Sequence, residues 1–214
     1  MSTKFYASRR IILFAIVEAA GWPIWFLIFA SIIAVGLIVD RLLFLRSNKI
    51  APPALLNEVY KELKQRGVSD GMLSKLHDNS PLGRIFAAGL KNIKSTQEVM
   101  KESIEEAGRA TEHELSRFLT TLGTIASISP LLGLFGTVVG MIEIFGSQNA
   151  AGNSPAILAH GISIALYNTA FGLIVAIPSM IFYRHFRAKV DSLSVEMEQQ
   201  AIKLVEIVHG QRKG

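Results

Sequence analysis

Two threonine hydroxyls, one amide and one carboxyl stand inside stretches that are mostly apolar. Thr137 and Glu143 lie in "SISPLLGLFGTVVGMIEIF", residues 127–145, and Asn168 and Thr169 lie in "ISIALYNTAFGLIVAIP", residues 162–178. Hydroxyl, amide and carboxylate oxygens are the groups that line a path for a proton or a small cation. Each has a plainer alternative. A threonine hydroxyl in an apolar helix can bond to the carbonyl four residues back and do nothing more. Asn168 can form a helix-to-helix hydrogen bond. Glu143 precedes an uncharged stretch by three residues, so a place among lipid headgroups competes with an ion-path role. His160 is similarly placed on the other run and is the candidate partner of Glu143.

Other chemistry lacks carriers. The chain has no cysteine, which excludes disulfides, thiolate metal sites and cysteine catalysis. "EHEL", Glu112–Leu115, lacks the spacing of a zinc-protease motif and reads as a solvated helix face. No phosphate loop, nucleophile elbow or metal set is present. The expectation is a protein that is not an enzyme and carries no cofactor and no metal. The net charge is +5, but the basic residues form no patch interleaved with aromatics. Nucleic acid is therefore not an expected partner, and the charge reads as membrane topology.

The elements that must position these groups are membrane helices. The 214 residues fit one domain by length, yet at 50% hydrophobic and 18% charged they are too apolar for an ordinary soluble one. A helical span needs about 20 mostly apolar residues, and three runs qualify. The expected organisation is an N-terminal outer-surface amphipathic segment over 1–21, a first span over 22–45 and a cytoplasmic helical domain over 46–117. A second span follows over 118–145, then a periplasmic loop over 146–156, a third span over 157–183 and a cytoplasmic C-terminal helix over 184–214. Residues 46–117 hold twelve Lys/Arg and the chain after Tyr183 six more. These outweigh Lys4, Arg9 and Arg10, so the C-terminus belongs in the cytoplasm and the N-terminus outside. Trp22 and Trp25 suit the interfacial belt at the outer end of the first span. The first residues also carry the basic start and apolar middle of a signal peptide, a reading that stands beside the amphipathic one.

Small residues recur on both later spans. Pro130, Gly133, Thr137 and Gly140 share one face, and Gly136 and Gly140 have small-xxx-small spacing. Gly161, Ala165, Thr169, Gly172 and Ala176 do the same on the third span. Lipid gives helices no hydrophobic reason to associate, so small residues let backbones approach. These stripes should face each other, another subunit or a central space. Pro130 and Pro178 are expected to bend their helices.

In the cytoplasmic region, Leu55, Leu56, Val59, Tyr60 and Leu63 predict a short amphipathic helix ending at Gly67. Asn79 or Ser80, with Pro81, predicts the start of another. Ser95 and Glu98 offer a capping box, after which one helix should run from about Thr96 through the second span, roughly 75 Å. Val190, Leu193, Met197, Ala201, Leu204 and Val208 form an apolar stripe on the C-terminal helix.

"SPLLGLFGTVVGMIEIF" together with "ISIALYNTAFGLIVAIPSMIFYRHF" resembles the ExbB/TolQ/MotA proton-channel family, and its ExbB/TolQ branch in particular. "WPIWFLIFASIIAVGLIVDRLLFLR", "SPLGRIFAAGL" and "ATEHELSRFLTTLGTIA" extend the likeness over most of the chain. The resemblance implies an all-α membrane protein of three spans, two of them extended as long helices into the cytoplasm, in a homo-oligomeric ring. It implies a homopentamer in the bacterial inner membrane around a pair of single-span ExbD/TolR-type subunits, each with an ionisable membrane aspartate. The expected role is to harness the proton motive force through a TonB-type transducer for transport, with a TolA-type transducer and envelope integrity as the alternative. A non-conducting membrane scaffold is a further alternative. Thr137 and Thr169 occupy the motif positions whose hydroxyls line the path, and Asn168 and Glu143 complete the candidate set. Several relatives have a glutamate five residues before the third-span threonine, where this chain has Ile164. The third-span block reads closer to the import-type branch.

Overall fold

The computed structural model describes residues 20–146 and 155–210. The signal-like segment up to residue 19, the connection 147–154 and residues 211–214 lie outside them. The described residues form eight helices and no strand: α1 Ile24–Phe44, α2 Ser47–Ile50, α3 Leu55–Arg66, α4 Asp70–Asn79, α5 Pro81–Lys91, α6 Gln97–Ser116, α7 Leu119–Gly146 and α8 Pro155–Val208. Three stretches are long and apolar enough to cross a membrane: α1, the α6–α7 stretch and α8. The chain divides into two compact units, Met1–Val39 with Thr120–Tyr183 and Asp40–Leu119 with Arg184–Gly214.

The first unit is apolar inside and out. Ile24, Leu27, Leu122, Ala126, Ala165 and Ala176 are buried, while Phe29, Ile32, Leu131, Ile142 and Ile174 are exposed. So much outward apolar surface suits hydrocarbon, and its helices satisfy their own backbone groups there.

The second unit is a helical domain with its own buried apolar core. Ser69, Ser80 and Thr96 cap α4, α5 and α6 by accepting from the N–H groups of Met72, Gly83 and Val99. Pro81 occupies the first turn of α5, where its missing N–H costs nothing. Gly67 closes α3 with φ +70°. The buried core joins Val59, Leu76, Phe86 and Leu90 to Met100 and Leu115. On α8, Phe186, Val190, Leu193, Met197, Ala201 and Leu204 are buried in this unit, joined by Val205, while Val208 is half-buried. α4 was not legible because its apolar residues, Met72, Leu73 and Leu76, form only a short run that follows Gly71.

Two expectations are corrected. The helix from Thr96 into the second span is not continuous. It stops at Ser116, and α7 starts at Leu119. Phe118 between them adopts φ +65°, the left-handed region that side chains rarely enter. Arg41 holds the break. It is 6% exposed, donates Nη1–H to the Leu115 carbonyl at 3.4 Å and pairs with Asp40 at 2.8 Å. Its guanidinium lies 5.5 Å from the Phe118 ring centre, and that of Arg117 lies 4.7 Å from it. A carbonyl freed at the helix end thus meets a cation from α1. The capping box is also displaced: Thr96, not Ser95, is the N-cap, because the Ser95 N–H still closes a turn onto Asn92.

Candidate functional site

The site lies in the apolar unit, where α7 meets α8 through the two small-residue stripes. A Cβ on Gly133 would stand 2.7 Å from the Asn168 carbonyl oxygen and 3.0 Å from Thr169 Cα. One on Gly172 would stand 2.6 Å from the Ser129 carbonyl oxygen. One on Gly136 would stand 2.6 Å from Asn168 Cγ. At these three positions no side chain fits without moving a backbone or the root of a side chain. Gly161 instead abuts the flexible end of Ile144 at 2.5 Å, and Gly140 would make an ordinary contact with Ala165 at 3.4 Å.

Asn168 occupies the slot opposite Gly136. It is fully buried, and its Nδ2–H donates to the Ala20 carbonyl at 2.8 Å, tying α8 to the segment before α1. Its Oδ1 is buried with no hydrogen-bond partner among the described residues. The two threonines differ. The Thr137 hydroxyl donates to the Leu134 carbonyl, three residues back, at 2.7 Å. The Thr169 hydroxyl, half-buried beside Asn168, has no hydrogen-bond partner among the described residues. Thr137 therefore meets its own bonding need, whereas Thr169 has an oxygen open to another group.

Glu143 is exposed on the same unit. It borders a cleft of about 270 Å³ that reaches Ala20, Val139, Gly140, Ala165 and Asn168. The side chains of His160 and Ile164 lie outside the described part, so the expected partnership of Glu143 with His160 has no geometry. Reasoning from sequence missed Ser129 and Ser179, both buried beside the helix prolines Pro130 and Pro178. Each donates to the carbonyl four residues back, Ile125 and Val175, at 2.7 Å. The signal was a serine adjoining each proline. Among the described residues no group of three or more His, Asp or Glu could hold a metal ion.

The profile described as the MotA/TolQ/ExbB proton channel family matches residues 77–199. A putative biopolymer transport protein ExbB-like 3 of Synechocystis is 35% identical over 74% of this chain and 77% of its own length. A putative biopolymer transport protein ExbB homolog of Methanothermobacter thermautotrophicus is 28% identical over 72% of this chain and 55% of its own length. A Tol-Pal system protein TolQ of Pseudomonas aeruginosa is 29% identical over 78% of this chain and 80% of its own length.

Proposed function

This chain belongs to the MotA/TolQ/ExbB proton channel family, and from that premise we propose that it is the ring-forming subunit of a proton-driven motor. Five copies enclose a pair of ExbD/TolR-type single-span subunits in the bacterial inner membrane, N-termini outside and C-termini in the cytoplasm. Protons crossing the membrane load and unload an aspartate on the partner span, and a TonB-type transducer carries the energy to transport at the outer membrane. The observation that carries the reading is Thr169. It lies inside the matched family region, at the α7–α8 contact, with a hydroxyl that bonds to nothing among the described residues. Thr137, Asn168 and Glu143 line the rest of the path. Gly133, Gly136 and Gly172 keep the two helices close enough to form it.

The TonB-linked role is favoured by the ExbB-like relatives. A second reading, as motor of a Tol-Pal system, is favoured by the TolQ relative, which aligns over most of both chains. Deleting the gene separates them: impaired TonB-dependent uptake supports the first, and a leaking envelope with intact uptake supports the second. The motor itself is tested by native mass spectrometry of the tagged chain co-expressed with its genomic neighbours. Five copies holding a small single-span protein with a membrane aspartate are expected. A ring without such a protein, under conditions that keep lipids bound, contradicts the motor and points to a scaffold.

A further inference from the structure

Asn168 Oδ1 is a polar atom the α7–α8 contact does not use. The residue is 1% exposed, and the oxygen accepts no hydrogen bond from the described residues. A bare buried amide oxygen carries an uncompensated desolvation cost. Turning the amide over would set two oxygens against each other, because Nδ2–H already donates to the Ala20 carbonyl. The orientation is thus fixed, and the oxygen needs a donor that none of the described residues supplies.

Asn168 lines the cleft of about 270 Å³ whose wall includes Ala20, Gly21, Val139, Gly140 and Glu143. A water takes up about 30 Å³ in the liquid, so several fit. Purely apolar cavities of such size stay dry, but a cavity with polar groups on its wall fills. Here two polar residues, Asn168 and Glu143, are among the lining residues. Glu143 is also the single acidic residue between 120 and 183, so negative charge in this part of the unit is concentrated at this cleft. Gly140 lines it too, at a position where helix packing alone leaves room for a Cβ.

Building on the ion-path reading above, we infer that this cleft is a water-filled vestibule through which protons reach the α7–α8 contact. Glu143 draws hydrated protons to its rim. Asn168 Oδ1 accepts from the innermost water and holds it next to Thr169. Asn168 stays neutral and forms no covalent bond; the proton moves along hydrogen-bonded water. Asn168 is a positioning residue in this path.

The absence of cysteine gives a clean test. In the assembled complex, Val139→Cys places one thiol on the cleft wall, and Leu166→Cys places one on the exposed apolar surface of α8. A charged, membrane-impermeant methanethiosulfonate is added from the side of the 147–154 connection, and proton flux is measured before and after. The vestibule predicts labelling at Val139→Cys at least tenfold faster than at Leu166→Cys, with loss of flux on labelling. Adding Asn168→Leu should slow that labelling several-fold; the comparison of Val139→Cys with Leu166→Cys decides even where this variant does not assemble. Equal labelling at the two sites in a complex that conducts, or labelling that leaves flux intact, overturns the vestibule and leaves the channel standing. A cysteine-free complex that conducts no protons overturns the channel reading and the vestibule with it.

Discussion

At the residue scale, the difference between Thr137 and Thr169 is a difference in who satisfies the hydroxyl. Thr137 is answered by its own helix, so Thr137→Val should lower proton flux less than Thr169→Val does; parallel flux assays on the two variants check the order. The glycines separate in the same way. Gly133→Ala and Gly172→Ala press a methyl into the backbone of the facing helix, an overpacking that costs about 1–3 kcal/mol each. Gly140→Ala meets only ordinary contact with Ala165 and should stay near neutral. Size-exclusion profiles and melting temperatures of the purified oligomers test that order, and a Gly172→Ala oligomer as stable as the parent would contradict it. Spacing alone brought out Thr137, Thr169 and both stripes, because helical periodicity is written locally. The bond from Asn168 to Ala20 joins residues 148 apart, and no local pattern encodes it. Nor could spacing distinguish Gly140 from Gly133, since the difference lies in what faces them.

At the element scale, the break between α6 and α7 is held by a cation from α1. Leaving the Leu115 carbonyl without Arg41 and removing the guanidinium from the rings of Phe44 and Phe118 should cost about 1–3 kcal/mol. Arg41→Met is the variant, with thermal unfolding as the readout. Phe118→Gly relieves a left-handed backbone worth about 1–2 kcal/mol and gives up ring contacts with Arg41 and Arg117 of about 0.5–1 kcal/mol each. Its stability should stay close to that of the parent. Phe118→Val keeps the strain and adds a β-branch, so it should melt lower than both. Nothing near residue 117 announces the break: no proline or glycine adjoins it, and apolar periodicity continues through it. Thr96 displaced Ser95 as the cap because a preceding turn onto Asn92 retains the Ser95 N–H. At that cap, the backbone N–H of Glu98 and then the Thr96 hydroxyl hold the Glu98 carboxyl below its ordinary value of 4.5. A lowered folded-state value stabilises the folded chain above the unfolded value, and that contribution fades as pH falls through the folded one. Glu98→Gln should therefore flatten the acid side of the stability profile, lowering stability slightly near neutrality and leaving it close to the parent's in acid; an unchanged acid limb would contradict this.

At the scale of the whole molecule, three apolar runs are legible in the sequence, and three helical stretches are long and apolar enough to cross a membrane. The chain divides into two compact units, with α1 and α8 contributing to each. Lys and Arg cluster in the second unit, while the first carries a single acid after residue 120 and exposed rows of Phe, Ile and Leu. A ring is not written in one chain's periodicity, because a lipid-facing residue and a subunit-facing residue are both apolar and exposed. The central claim, that protons pass by the Thr169 hydroxyl, is tested most directly by reconstituting the co-purified complex in liposomes. An imposed potential and an enclosed pH-sensitive dye then compare the parent with Thr169→Val. The account predicts flux in the parent and at least a tenfold fall in the variant, with the same subunit composition by native mass spectrometry. Equal flux from an equally assembled Thr169→Val complex would contradict it.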